Sequence, residues 1–271
     1  MGLSWAYRIA GVGLDEVSDA LDVAGIEPAG ISEEAGVTTA WFPERLAGDL
    51  PLDGRWEAVA DEDWSERWKD GLEPVTVGRV TVTVPWLAPE GPVLSQPDHV
   101  VLVIEPGMAF GTGHHETTAA CLAALQDRDL VGRRLVDGHV VDVGTGTGVL
   151  ALAARALGAA SVTAVDTDPE AIAVARANLA AHGLEGIDLR EGSTEAVDRP
   201  GDVVVANIIT DLLLALVPDL VALVAPGGVL VASGIAADRV EEVRATVAAA
   251  GVETTPRVGR EWAVLVGQRS A

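Results

Sequence analysis

The sequence predicts an α/β protein: a doubly wound, mostly parallel sheet from about residue 99, preceded by a smaller α+β domain. Three observations carry this. Beyond residue 99, short apolar runs of strand type alternate with helical ones, the pattern of parallel strands joined by helical crossovers. A glycine-rich turn, "DVGTGTGVL", joins one of those strands to a helix. The first part of the chain differs in composition, holding Trp5, Trp41, Trp56, Trp64, Trp68 and Trp86, six of the seven tryptophans.

In chain order, "WAYRIAG" reads as a strand, "LDEVSDALDVAG" as a helix, and "VTTAWFP" and "RWEAVA" as strands. These make a first domain over residues 1–60. Residues 61–98 read as a linker: a helical piece "DEDWSERWKDG", a strand pair "VTVGRVTVTVPW", and the connector "LAPEGPVLSQP" with three prolines and a glycine. The second domain, 99–271, opens with the strand "VVLVIEP". "HVVDVG" is a buried strand followed by the helix "TGVLALAARALG". "SVTAVD" leads into "PEAIAVARANLAAHG", with Pro169 at the helix start and Gly183 at its end, the expected asymmetry. "GIDLREG" and "DVVVANI" are strands, "DLLLALVPDLVALV" and "RVEEVRATVAAAG" are helices, and "GVLVASG" and "EWAVLVGQ" complete the sheet. The apolar region 212–236 is interrupted by Pro218, Asp219 and Pro226, so it reads as helix, turn and buried strand and not as a membrane span.

Composition narrows the function classes. The chain has 271 residues, 49% of them apolar, enough to bury a full core. Cys121 is the single cysteine, which excludes an internal disulfide and fits a reduced cytoplasm. "MGLSWAYRIA" lacks the basic start and apolar core of a secretory signal. The net charge of −23 repels phosphate backbones, so direct nucleic-acid binding is not expected. Residues 1–98 carry 19 acidic and 6 basic side chains, net −13. Such a surface suits a cationic partner; solubility or a salt-adapted proteome, in keeping with Lys69 as the one lysine, explains it equally. His99, His114, His115, His139 and His182 show no zinc spacing, so no metal is expected.

The chemistry centres on two glycine-rich stretches. Gly144, Gly146 and Gly148 follow a buried strand and let a ligand lie against the backbone. A dinucleotide fingerprint fails when counted from Gly144, where Val149 takes the last place, and survives in its looser form from Gly146, where Ala151 does. No Lys-Ser/Thr follows, so a P-loop is excluded. D-x-G-x-G-x-G resembles motif I of the S-adenosylmethionine-dependent methyltransferases. Asp166, at the end of the next strand, offers paired acceptors to a ribose diol, although NAD enzymes use a similar acid. Asp168, just before Pro169, reads more simply as a helix cap. Gly192 and Ser193 in "LREGS" stand where an adenine would lie.

The second stretch is "EPGMAFGTGHHETT", residues 105–118. It closely resembles the signature of the ribosomal protein L-eleven methyltransferase (PrmA) family, and the likeness extends through "DEDWSERWKDGLEPVTVG", "VDTDPEAI", "VANI", "PGGVLVASGI" and "EWAVLVG". The resemblance implies a ferredoxin-like N-terminal recognition domain, a linker, and a seven-stranded class I methyltransferase sheet. It implies S-adenosylmethionine as cofactor and methylation of lysine side chains and the N-terminal amine of a basic ribosomal protein by a cytoplasmic monomer. Residues matching the family's cofactor contacts are Thr118, Gly144, Asp166 and Asn207, with Gly146, Gly192 and Ser193 nearby, and Phe110, Gly111 and Thr112 fall in the loop over the methionine end. "LVGRRLVDGH" is longer than is usual in the family and should extend a surface turn, and "NIIT" stands where related amine methyltransferases carry Asn-Pro-Pro-Tyr.

Asn207 is the expected catalytic residue, its carbonyl holding an amine N–H; a turn-forming asparagine after a strand is the simpler alternative. "HHE" should start a helix, with Glu116 near its positive end, and one histidine is a candidate guide for the substrate chain. Two other functions stay open on the sequence: a methyltransferase for another protein's lysine or a small amine, and a non-catalytic cofactor-binding module.

Overall fold

The computed structural model describes residues 3–24, 26, 28, 30–34, 36–46, 50–60, 73–88, 99–105 and 115–271. The chain divides into two compact units, Met1–Leu72 and Glu73–Ala271. The first has strands β1 (Leu3–Ala10), β2 (Gly30–Glu34), β3 (Val37–Phe42) and β4 (Arg55–Ala60) and helix α1 (Leu14–Val23). The sheet order is β2-β3-β1-β4, all antiparallel, with β1 central. This is the ferredoxin-like order, but among the described residues no helix lies between β3 and β4. β2, "GISEE", was not expected; its two acidic residues obscure the alternation. Val17 and Leu21, one turn apart on α1, pack with Tyr7, Ile9, Ala40 and Phe42. Trp56 meets Trp5 edge-on and Tyr7 and Phe42 at a tilt, so two of the early tryptophans, Trp5 and Trp56, belong to an aromatic cluster around this core.

Residues 75–83 belong to the second unit and not to a linker. Strands β5 (Val75–Val77) and β6 (Val80–Thr83) form a three-stranded sheet with β7 (Val100–Val103), and Val80 and Val82 enter the same core as Leu102. The expected helix 61–71 and most of the connector 87–97 lie outside the described residues.

The main sheet holds β8 (His139–Val143), β9 (Ser161–Asp166), β10 (Ile187–Glu191), β11 (Gly201–Asn207), β12 (Val224–Ala236), β13 (Val252–Val258) and β14 (Trp262–Arg269), in the order β10-β9-β8-β11-β12-β14-β13. Five neighbouring strands run parallel and β14 runs antiparallel to both its neighbours. β13, "VETTPRV", was not foreseen, because only its first residue is buried and a proline sits inside it; as an edge strand it tolerates that proline.

Alternation along the central strands explains why both faces are covered. Val140, Val203 and Val205 point into one core; Val141, Val143, Val204 and Ala206 point into the other. Helices α2 (Glu116–Leu125) and α3 (Val149–Ala156) fill the first. Helices α5 (Thr210–Leu223) and α6 (Val240–Ala249) fill the second. Helix α4 (Pro169–His182) starts on the Asp168 cap, whose carboxylate accepts from Glu170 N–H at 2.8 Å, and ends on Gly183 in the left-handed region. Pro218 does not break α5: burial of Leu213, Val217, Leu220 and Val221 on both sides outweighs one missing N–H.

Residues 128–135 form two helical turns capped by the Asp127 carboxylate and not a free surface turn. Val131 and Leu135 are buried, and Arg134 donates to the Gly227 and Leu130 carbonyls. The segment precedes β8, at the amino end of the sheet.

Candidate active site

In a doubly wound sheet the ligand lies at the carboxyl ends of the strands, where the strand order reverses. Here that point falls between β8 and β11, with β9 alongside. A cavity of about 460 Å³ opens there, and Gly144, Gly146, Asp166, Gly192, Ser193 and Asn207, six of the expected site residues, all line it.

Backbone hydrogen bonds fix the glycine loop. Gly144 and Thr145 donate to the Val165 carbonyl at 2.9 and 3.0 Å, folding the loop across the end of β9. Gly146 N–H donates to one oxygen of Asp166 at 2.9 Å, and Asp168 N–H to the other at 3.0 Å. The carboxylate is held by both, and each oxygen keeps a lone pair for a diol. Gly192 N–H donates to the Asp166 carbonyl at 2.8 Å, tying the ends of β9 and β10 together. Asp168 serves as the helix cap and lines the cavity as well.

Asn207 closes β11. Its Nδ2 donates to the Thr118 hydroxyl at 3.4 Å, while its Oδ1 is buried and has no hydrogen-bond partner among the described residues. An orphaned buried acceptor is costly unless a ligand satisfies it. Thr118 is fully buried and reaches the site through Asn207; its neighbour Thr117 lines the cavity directly. Phe110, Gly111, Thr112 and His114 lie outside the described residues. His115 caps α2: its Nδ1 accepts from Thr117 N–H and bonds the Thr117 hydroxyl at 2.8 Å. Glu116, in the first turn of that helix, accepts from Arg260 N–H at 2.9 Å.

Gly234 of β12 lets the loop after Asn207 settle. It has a φ of +80°, and a Cβ there would stand 2.1 Å from the Ile208 carbonyl oxygen. Thr210 then donates to the Gly234 carbonyl at 3.1 Å and accepts from Ala236 N–H at 3.0 Å. Gly234→Ala is expected to cost about 2–4 kcal/mol, combining left-handed strain with a clash against backbone. Urea melts of the two proteins check this.

Three further groups bear on the cavity. Asp142, the first residue of the glycine motif, is fully buried beneath the loop. It accepts from the Thr145 hydroxyl at 2.7 Å and leaves Oδ1 unpartnered among the described residues. Burial, with the Asp166 charge adding to it, pushes its carboxyl up to about 7. The sign follows from proton counting. Between about pH 4 and 7 the folded protein keeps a proton that the unfolded chain has lost, so stability falls as pH rises through that window. Thermal melts of the wild type should show this fall, about 4 kcal/mol, and Asp142→Asn should flatten it. Trp262 lines the cavity from β14, its ring 5.3 Å from that of His115. Ile209, 68% exposed, and Leu212, 48% exposed, form an apolar wall. Trp262 lies in the "EWAVLVG" stretch, and the pairing of β12 with β14, which sets it opposite Ala236, brings it here.

Two further polar side chains act at a distance. Asn178 and His182 of α4 accept from Glu105 N–H and Val103 N–H, both at 3.0 Å, and so anchor the strand that leads into the 105–118 stretch. Burial pushes the Cys121 thiol up to about 12, which removes it as a nucleophile. Among the described residues no group of three or more His, Cys, Asp or Glu side chains is placed to hold a metal ion, and no helix is long and apolar enough to cross a membrane.

Known proteins resemble this chain in sequence and in fold. The sequence pattern of the ribosomal protein L11 methyltransferase family (PrmA) matches residues 32–270. The ribosomal protein L11 methyltransferase of Thermus thermophilus is 40% identical over 267 residues, covering 96% of this chain and 98% of its own length. That of Deinococcus radiodurans is 40% identical over 256 residues, covering 89% and 90%. The crystal structure of ribosomal protein L11 methylase from Lactobacillus delbrueckii subsp. bulgaricus superposes with a TM-score of 0.64 at 30% identity, covering 74% of this chain and 100% of that one. With a family pattern spanning most of its length and relatives matched almost end to end, the chain belongs to the ribosomal protein L11 methyltransferase family.

Proposed function

We propose that the chain transfers methyl groups from S-adenosylmethionine to amines of ribosomal protein L11, namely lysine side chains and the N-terminal amine. The observation that carries this is Asn207: a buried carbonyl oxygen without a partner among the described residues, on a side chain that lines the same cavity as Asp166. An amine N–H satisfies that oxygen, and a ribose diol satisfies the carboxylate. Gly144, Gly146, Gly192 and Ser193 supply the close backbone approach, and Thr118 holds Asn207 in place. Phe110, Gly111 and Thr112 complete the cofactor site on the strength of the family likeness.

When bound, S-adenosylmethionine supplies a methyl group already activated by the sulfonium charge. The protein's own task is alignment and exclusion of water, worth roughly 7–11 kcal/mol when the geometry is right. Asn207 fixes the nitrogen, and the apolar wall of Ile208, Ile209 and Leu212 favours the neutral amine, the form that has a lone pair to give. The acidic first unit serves as the docking surface for the basic substrate. The protein works as a cytoplasmic monomer without direct contact to nucleic acid.

The test is incubation with labelled S-adenosylmethionine and purified unmethylated L11, followed by mass spectrometry of the amines. Asn207→Ala should lower the rate at saturating cofactor roughly 100-fold, the effect of removing one positioned polar group. Label reaching only other proteins or small amines would replace L11 as the target. Binding of the cofactor without transfer to any amine would mark a non-catalytic module.

A further inference from the structure

Trp262 stands apart from the rest of the cavity wall. Its indole is half-buried and meets the His115 ring at an interplanar angle of 65°. It also borders a second hollow of about 260 Å³, where Ala120, Ala123, Val258 and Val264 stand with the charged side chains Glu116 and Arg257. Trp262 therefore borders open space on both and is not sealed in a packed core. Ile208, Ile209, Leu212 and Leu216 make the rest of that wall apolar. The Asp166 oxygens already bind Gly146 and Asp168, whereas Asn207 Oδ1 has no partner among the described residues.

A neutral primary amine carries two N–H bonds, a secondary amine one, and a tertiary amine none. The Asn207 carbonyl can orient the first two by hydrogen bonding and has nothing to hold on the third. We propose that the two groups divide successive methylations of one amine: Asn207 orients the primary and secondary amines, and Trp262 holds the tertiary amine and the quaternary ammonium it becomes. This rests on the amine-methyltransferase reading above. In each step the nitrogen lone pair forms the new N–C bond while the C–S bond of S-adenosylmethionine breaks. The electron pair stays on sulfur, the sulfonium becomes a neutral thioether, and the nitrogen takes the positive charge. After the first and second transfers the ammonium gives a proton to water. After the third it has none to give, and the cation is permanent. An aromatic face attracts such a cation through its quadrupole, most strongly for indole.

The full chain is assayed at saturating S-adenosylmethionine on two substrates: unmethylated recombinant L11, and L11 whose amines have been made tertiary by reductive dimethylation. Initial rates are read by mass spectrometry, with melting temperature and cofactor affinity recorded for each variant. Trp262→Leu should lose about tenfold on the dimethylated protein and less than about threefold on the unmethylated one, and Trp262→Phe should recover most of the loss. Asn207→Ala should lose roughly 100-fold on unmethylated L11. Equal proportional losses on both substrates, in the leucine and phenylalanine variants alike, would reduce Trp262 to a structural residue and overturn the proposal. So would a wild-type enzyme that methylates unmethylated L11 and leaves the dimethylated protein untouched. A wild type inactive on both substrates would instead overturn the parent reading, and this proposal with it.

Discussion

Asp166→Ala is expected to weaken S-adenosylmethionine binding roughly 30- to 1,000-fold, or about 2–4 kcal/mol. The magnitude combines two losses. A carboxylate that would accept both ribose hydroxyls through charge-assisted hydrogen bonds is removed. The same carboxylate also accepts from Gly146 and Asp168 N–H, so the glycine loop and the start of α4 lose a shared anchor. The ordering of that loop must then be met from the binding energy. Asp166 is half-buried and belongs to neither core cluster, so circular dichroism should change little. Calorimetric titration gives the affinity directly. Equal affinity in wild type and variant would remove Asp166 from the cofactor site.

The second large effect concerns the two units. A chain beginning at Glu73 should bind cofactor as the full protein does, and lose about tenfold or more in kcat/KM on intact L11. It should fold alone, because both core clusters of the second unit draw their members from residue 77 onward. A cut at residue 99 would instead strip β5 and β6 from β7 and expose Leu102, so the two truncations separate a docking defect from a folding defect. On a short lysine peptide at saturation, the Glu73 chain should lose far less than on L11. Rising salt should raise KM of the full protein for L11 and leave kcat nearly constant, since exposed charges steer encounter and are screened. If the acidic first unit serves solubility alone, the ratio of protein to peptide activity will be the same with and without it.

Much of this protein is written locally in its sequence. The strand–helix alternation after residue 99, the Asp168-Pro169 start and Gly183 end of α4, and the glycine loop after β8 are set by neighbours in the chain. Period, capping and left-handed glycines act within a few residues, so they can be read without the fold. The glycine-loop side of the cavity is equally legible, because Gly144 and Gly192 each follow a strand, Asp166 ends one, and strand ends converge in a parallel sheet. Tertiary structure decided the rest. β13 is visible only through its pairing with β14, since an edge strand with one buried residue carries no alternation. Residues 75–83 read as linker because three- and four-residue strands gain their burial from a partner, β7, that follows the connector. Asp142 becomes a perturbed acid only when both faces of β8 are covered and water is excluded. Trp262 enters the site solely through the antiparallel return of β14 beside β12, a contact between residues distant in the chain that no local pattern encodes.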